Sequence, residues 1–162
     1  LDERTEIMVL EGEVSDGQGA YAEGVYVRLP PNEPVALSSD TGGVILVRKR
    51  QGVGAGSTRI MIDSNSPNAW ENWGGRGSHK VQLYDADELP EASWLGRMLP
   101  DLHIPDHDHA GGEEVFILQG EIEDAHGVAG PGTWMRFPVG FRHAPFSHSE
   151  VCVMIVREGD VV

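Results

Sequence analysis

An internal repeat limits the possible folds of this chain more than any other feature of the sequence. Residues 5–49 align with residues 113–157 at a constant offset of 108 positions, without a gap. Eleven of the 45 aligned positions are identical, including the turn-forming pair Gly12 and Gly120. Chance rarely keeps turn residues and apolar runs in register over such a length. We therefore expect two tandem copies of one structural unit.

Each copy has the composition of short β-strands. Apolar runs such as EVFILQ, TWMRF and VCVMIV are bounded by Gly, Pro and Asp, which favour turns. Further strands are predicted ahead of the second copy at TRIMID, KVQLY and SWLGRML. No segment shows sustained helical periodicity with capping residues, so we expect an all-β sandwich or barrel with little helix. Tyr26 and Trp134 occupy equivalent positions, and a shared packing role is expected for them.

The two copies differ in completeness. Strand-like sequence precedes the second copy, but Leu1 falls at the position equivalent to His109, so the first copy lacks its front part. We predict residues 1–50 to be a partial, degenerate repeat with a structural role, and residues 51–162 to be a complete domain. The first copy has either lost its front part or is completed by another segment.

The stretch HDHAGGEEVFILQG, which begins at His107, carries the most distinctive polar side chains. In a strand, side chains two positions apart point to the same side, so His107 and His109 project together. A bend at the following two glycines brings in Glu113, and a turn at PVG lets an antiparallel neighbour return His143. Imidazole and carboxylate groups ligate metals, so this spacing predicts a metal site. Glu114 is an alternative carboxylate, and surface histidines in polar turns are the alternative interpretation of the whole stretch.

These residues resemble the two sequence motifs of the cupin superfamily. The first motif is His-x-His, three or four residues, Glu, six residues and Gly. The second is Gly, five residues, Pro-x-Gly, two residues and His. The matching positions are His107, His109, Glu113 and Gly120, followed by Gly132, Pro138, Gly140 and His143. The resemblance implies a double-stranded β-helix, or jelly-roll barrel, in two tandem copies of which the first is incomplete. It also implies one divalent metal ion per chain, with the ligands His107, His109, Glu113 and His143.

Within the superfamily, HDHAGGEEVFILQGEIEDAHG followed by GTWMRFPVGFRHAPFS is similar to the cupin domain of ChrR-type anti-sigma factors. This resemblance implies zinc and a regulatory or sensor role. Nothing in the chain matches the helical N-terminal domain with which those regulators hold a sigma factor. A sigma-factor partner is therefore expected only if such a domain precedes the chain. Related cupins imply the alternative, a non-haem dioxygenase acting on a small carbonyl or diketone compound; iron, manganese and nickel suit the same ligands.

Charge and composition narrow the expected partners. The formal net charge is −14, which argues against a nucleic-acid partner, because phosphate binding needs a basic surface. No apolar run approaches the roughly 18 residues that span a membrane, so no membrane association is expected. Cys152 is the single cysteine, which excludes an intrachain disulfide and favours a cytoplasmic location. Its apolar neighbours predict a buried side chain. A small-molecule ligand is compatible with these features.

The strand that begins at Glu113 also predicts how the protein packs. If Glu113 faces the metal, Val115 and Ile117 face the interior, and Phe116 and Leu118 face outward. A strand that is apolar on both faces needs cover on both. We therefore expect the outer faces to pack against the other copy or to form a homodimer.

The first copy has lost the side chains that carry the chemistry. At the offset of 108, Thr5 stands at the position of Glu113, and Val35 stands at the position of His143. Neither residue offers an imidazole or a carboxylate. The sequence therefore predicts metal binding in the second copy alone.

Overall fold

The computed structural model describes residues 3–51, 58–75, 77–85, 89–148 and 150–161. The described residues form sixteen strands and no helix, so the predicted all-β class is confirmed. None of them therefore belongs to a helix long and apolar enough to cross a bilayer. The chain divides into two compact units, Leu1–Ala69 and Trp70–Val162.

The first unit is an antiparallel sheet around one long strand, β1. Its strands are β1 (Glu3–Asp16), β2 (Gly19–Ala22), β3 (Val25–Arg28), β4 (Gly43–Gln51) and β5 (Ile60–Asp63). The order is β2-β1-β3-β5, and β4 also pairs with β1. The first half of β1 thus lies between β3 and β4. The buried core of this unit consists of Ile7, Val9, Val14, Tyr21, Val25, Val27 and Leu29.

The strand predicted at TRIMID lies in the first unit and not with the second copy. This strand is β5, and it pairs with β3 from Val25 opposite Asp63 to Arg28 opposite Ile60. The pairing satisfies the outer edge of β3, which would otherwise expose a row of backbone donors and acceptors. The boundary between the units therefore falls at Ala69, beyond the predicted boundary at residue 50. The division into a structural and a functional part stays a prediction.

The second unit contains three antiparallel sheets. Its strands are β6 (Glu71–Asn72), β7 (Ser78–Tyr84), β8 (Ala92–Met98), β9 (His107–Asp108), β10 (Glu113–Gln119), β11 (Ile122–Asp124), β12 (Gly127–Ala129), β13 (Trp134–Phe137), β14 (Arg142–His143), β15 (Phe146–Ser147) and β16 (Cys152–Glu158). A six-stranded sheet has the order β13-β10-β16-β8-β7-β6. The order β12-β11-β15 forms a three-stranded sheet, and β14-β9 forms a two-stranded one. The strands predicted at KVQLY and SWLGRML are β7 and β8.

The core of the second unit follows the predicted alternation along β10. Val115 and Ile117 are buried, whereas Phe116 and Leu118 are half-buried. Cys152 is fully buried, as predicted. The residues of this core are Trp94, Met98, Val115, Ile117, Ile122, Ala129, Cys152, Met154 and Val156.

The long strands of the two units share a β-bulge at equivalent positions. The register of β1 with β4 shifts between Val9 and Glu11, and that of β10 with β16 shifts between Ile117 and Gln119. These positions differ by 108 residues. A bulge inserts one residue and bends the strand, so the same bend occurs at the same place in each unit.

Gly12 and Gly120 follow the two bulges and have the same backbone conformation. Their φ angles are 72° and 68°, in the left-handed region that favours glycine. A Cβ atom at Gly12 would lie 2.5 Å from the carbonyl oxygen of Gly42, and one at Gly120 would lie 2.4 Å from that of Val151. Only glycine fits at either position, which explains why the repeat retains it.

The gapless alignment requires one correction near its end. Ser15 bridges to Ser38, and Glu123 pairs with Phe146, which keeps the offset at 108. The last strands are shifted, because Val9 pairs with Ile45 whereas Ile117 pairs with Met154. β4 and β16 therefore correspond at an offset of 109. The second unit contains one additional residue between Phe146 and β16.

The shared packing role predicted for Tyr26 and Trp134 is wrong. Tyr26 is 1% exposed, whereas Trp134 is 59% exposed. Their strands differ in environment, since β3 is paired on both sides and β13 is the edge strand of its sheet. Residues at equivalent positions of the sequence alignment can therefore differ in burial.

Candidate metal centre

Two short paired strands bring the predicted histidines together. His107 begins β9 and lies opposite His143, the last residue of β14, so the predicted antiparallel return of His143 is confirmed. His109 follows β9 directly. On the exposed side of the pair, Arg142 contacts Asp108 at 3.0 Å, which fastens the two strands outside the site.

A tight bend joins β9 to β10 and brings Glu113 to the histidines. The amide of Gly112 donates a hydrogen bond of 3.1 Å to the carbonyl oxygen of His109. Gly112 has a φ of 74°, and a Cβ atom there would lie 2.8 Å from the carbonyl oxygen of Phe137. The bend predicted from the two glycines is therefore present, and it needs glycine at this position.

The nitrogen and oxygen atoms that face one another have the spacing of metal ligands. The Nε2 atom of His143 lies 3.2 Å from that of His107 and 3.3 Å from that of His109. The Oε2 atom of Glu113 lies 3.5 Å from Nε2 of both His109 and His143. Ligand atoms about 2.0–2.1 Å from one tetrahedral zinc ion are roughly 3.3 Å apart. The three histidines are thus positioned to bind one metal ion.

The other ring nitrogens face oxygen atoms, which sets the imidazole protonation. Nδ1 of His107 lies 2.8 Å from the carbonyl oxygen of Pro105, and Nδ1 of His109 lies 3.4 Å from the Glu158 carboxylate. Nδ1 of His143 faces Asp124 at a longer distance of 4.0 Å. For the neutral rings of His107 and His109 we assign the proton to Nδ1. Each Nε2 is then a lone-pair acceptor, the form in which histidine ligates metals.

The electrostatics of the site favour the binding of a cation. Oε2 of Glu113 is buried and has no hydrogen-bond partner among the residues that the structure describes. Burial raises the pKa of Glu113 to about 7, although the neighbouring His109 acts in the opposite direction. Burial and the charges of the other histidines lower the pKa of His143 to about 4. Three acceptor nitrogens and a buried carboxylate oxygen repel one another unless a cation lies between them.

His109 and Glu158 form a second, partly exposed pair beside the cluster. Hydrogen bonding to Glu158 raises the pKa of His109, despite burial, and the same bond lowers the pKa of Glu158. Glu158 ends β16 directly opposite Glu113, so strand pairing places it at the site. A bound divalent ion would oppose this raised pKa of His109, because the metal and the proton compete for the same imidazole ring.

The candidate centre opens onto a cavity in the second unit. The cavity has a volume of about 80 Å³ and is lined by His107, Glu113 and His143 at the site. Its other walls are mostly apolar and include Trp94, Met98, Val115, Met135, Phe137, Met154 and Val156. A small molecule in this cavity would lie against the metal ligands.

Glu114, the alternative carboxylate, has a different role. It bonds to Arg157 at 2.7 Å and lies 3.5 Å from Arg136. Its side chain is therefore held by two guanidinium groups on the face of β10 opposite Glu113. Glu158 and Asp124 were not predicted as site residues. The identity of Asp16 and Asp124 in the repeat was the one signal for Asp124.

An all-β unit that gathers three histidines and a glutamate beside an apolar cavity has the arrangement of a cupin metal centre. Residues 57–162 match the family model of the ChrR cupin-like domain, and the chain belongs to this family. The resemblance drawn from the two motifs is therefore confirmed. Among curated proteins, none matches the chain.

Two solved structures of low sequence identity share the fold over nearly the whole chain. A proposed dioxygenase from Nostoc punctiforme is 16% identical with a TM-score of 0.74, and the match covers 98% of this chain and 62% of that protein. A protein proposed to be glyoxylate-induced, from Pseudomonas aeruginosa, is 15% identical with a TM-score of 0.75, covering 96% and 65%. Rhodobacter sphaeroides SigE in complex with the anti-sigma factor ChrR gives 24% identity and a TM-score of 0.49, covering 55% and 48%. The chain thus spans less than two thirds of each.

Proposed function

We propose that this chain is a metal-binding cupin that holds one divalent ion through His107, His109, Glu113 and His143. The observation that supports the proposal is the arrangement of three facing imidazole nitrogens with a buried carboxylate oxygen 3.5 Å from two of them. A divalent ion held by the three imidazoles would lie close to the Glu113 carboxylate, which is 3.5 Å from two of them. Zinc is the proposed metal, and it would supply a Lewis-acid centre at the end of the cavity.

The proposed role of the centre is that of a regulatory or sensor module that responds to a small molecule. The match to the ChrR cupin-like domain over residues 57–162 supports this role. The cavity supports the small-molecule part, because three of the four proposed ligands line it. The proposal includes a sigma factor as partner only where a helical N-terminal domain joins this chain in the full protein.

A second candidate function is a metal-dependent dioxygenase of small carbonyl or diketone compounds. The cavity favours it, since a substrate bound there would meet the metal-facing side of His107, Glu113 and His143. The apolar walls would exclude water from the reacting molecule, and Glu113 and the imidazoles would hold the metal in place. The same centre would then contain iron.

Metal analysis combined with an oxygen-uptake assay distinguishes the two candidates. The protein is purified from cells grown without added metal, and its metal is measured by mass spectrometry. Oxygen uptake is then recorded with 2,4-pentanedione. Stoichiometric zinc without oxygen uptake supports the sensor. Iron together with substrate-dependent oxygen uptake would contradict the sensor proposal and support the dioxygenase. A protein that binds neither zinc nor iron would contradict both proposals.

We further infer that the two units are copies of one fold. Besides the shared bulge, an ion pair recurs: Glu6 contacts Arg48 at 2.6 Å, and Glu114 contacts Arg157 at 2.7 Å. Glu6 and Glu114 differ by 108 positions, and the two arginines differ by the 109 positions that relate β4 to β16. Such a pair is one of the details that independent sheets would not be expected to share.

In the first unit, an arginine contacts the aspartate that corresponds to Asp124. Asp16 corresponds to Asp124, which faces His143 in the second unit. Asp16 instead contacts Arg59 at 2.8 Å and accepts a hydrogen bond of 2.9 Å from Tyr21. Burial alone would raise the pKa of Asp16, but the hydrogen bonds from Arg59, Gln18 and Tyr21 and the charge of Arg59 together outweigh it and lower the pKa. A permanent guanidinium charge there supports a structural role for this unit.

A further inference from the structure

Trp94 lines the cavity and carries a buried polar atom that nothing in the described structure satisfies. It lies in the middle of β8, opposite Val156 of β16, and its side chain is 6% exposed. Its indole Nε1 is buried and has no hydrogen-bond partner among the described residues. Buried donors are almost always bonded in folded proteins, so an unpaired one points to an acceptor that binds there.

The ring of Trp94 packs against a neighbouring ring, and there is space beside its N–H donor. The ring packs against Trp73 with centroids 5.4 Å apart. Gly96 is the next residue on the same face of β8, and it lines the same cavity. A Cβ atom at Gly96 would lie 3.7 Å from Nε1 of Trp94 and 3.4 Å from Cγ of Met154. Glycine therefore leaves room for one small group next to the indole N–H.

We propose that the cavity binds a small organic acid with a short apolar body, and that Trp94 selects it. This inference rests on the proposed metal site. One carboxylate oxygen would bind the metal, and Nε1 of Trp94 would donate a hydrogen bond to an oxygen that the metal does not bind. The apolar walls would accommodate the hydrocarbon part. Trp94 is in this proposal a specificity residue, and the metal ligands do not depend on it.

Two probes of similar chain length test the role of Trp94. The protein is loaded with Co²⁺, and the visible spectrum of the ion reports the binding of an added ligand. Propionate has a second oxygen for Trp94, whereas 1-propanethiol binds through sulfur and has none. In Trp94→Phe we expect the Kd of propionate to rise by at least about tenfold, because a hydrogen bond to a charged group is lost. The Kd of 1-propanethiol should stay unchanged.

Trp134→Phe is the matched control, because Trp134 is 59% exposed and does not line the cavity. It should leave both affinities unchanged. Gly96→Ala keeps the indole and fills the space beside it, so propionate should again bind more weakly. This second variant gives the test if Trp94→Phe folds poorly by circular dichroism.

The outcomes separate the two proposals. A protein that takes up no Co²⁺ rejects the metal site itself. A loaded wild type that does not bind propionate, or loaded Trp94→Phe and Gly96→Ala variants that bind it as the wild type does, would overturn the role of Trp94 and leave the metal site standing.

Discussion

Protons and metal should compete for Glu113, and this competition can be measured. The metal needs the ionised carboxylate, but burial raises the pKa of Glu113 to about 7 from an ordinary value of 4.5. Metal affinity should therefore be highest above pH 7 and should fall as the pH drops through that value. The raised pKa of His109 acts in the same direction, because a protonated imidazole cannot ligate.

The size of the effect follows from the distance to that pKa. At pH 5 the Glu113 carboxylate is about two pH units below its pKa, so its proton alone weakens metal binding about 100-fold, or roughly 2.7 kcal/mol. His143 adds nothing at this pH, since its pKa is lowered to about 4 and its ring is already neutral. Protonation of His109, whose pKa is raised, would add to this loss.

Zinc affinity measured by chelator competition between pH 5 and pH 8 checks this prediction. Glu113→Gln removes the titrating group and keeps the side-chain size. We expect weaker binding at pH 8 but a much smaller change between pH 8 and pH 5. Glu121→Gln is the matched control, because Glu121 is exposed on a turn and should leave the profile unchanged. A Glu113→Gln variant that retained the full pH dependence would refute the reasoning.

Three further predictions concern the ligands, the thiol and the association state. Replacing His107 and His109 together by Ala should abolish metal binding, and stoichiometric metal in that variant would show that another cluster binds it. Cys152 should not react with a thiol reagent in the folded protein, because it is fully buried and burial raises its pKa to about 12; it should react once on denaturation, and rapid reaction beforehand would contradict this. A homodimer through the outer face of β10 should give twice 17.6 kDa by light scattering and dissociate in Phe116→Glu, whereas a monomeric wild type would exclude it.

The histidine positions could be predicted from sequence because their geometry is local. β9 and β14 are two residues long, and each is bounded by turn residues that fix where its side chains point. His143 returns to His107 through one antiparallel pairing, which the spacing of Pro138 and His143 predicts. Strand periodicity likewise places Val115 inside. Signals of this kind depend on neighbours along the chain, and the sequence contains them directly.

The other residues of the site are positioned by pairing between strands that are distant along the chain. The sequence alone does not predict which of these strands pair or in which register. Glu158 reaches the histidines because β16 lies beside β10 in a register that includes a bulge. Trp94 faces the cavity because β8 pairs with the other side of β16. The strand predicted at TRIMID was placed in the wrong unit for the same reason. It pairs with the exposed edge of β3, and such an edge can accept a strand of suitable length from elsewhere in the chain. The gapless alignment also hid the additional residue before β16, because the apolar runs of β4 and β16 still overlap when they are one position out of register.

The buried apolar core and the proposed metal site consist of different residues. A unit without metal-binding side chains can therefore still fold. In the second unit the buried apolar core comes mainly from β8, β10 and β16, whereas His107 and His143 lie on a separate two-stranded sheet. Substituting those histidines removes no side chain from the apolar core. The first unit has the same bulge and the same glutamate–arginine pair, and Arg59 supplies the positive charge beside Asp16. The buried core of such a unit therefore does not depend on metal-binding side chains.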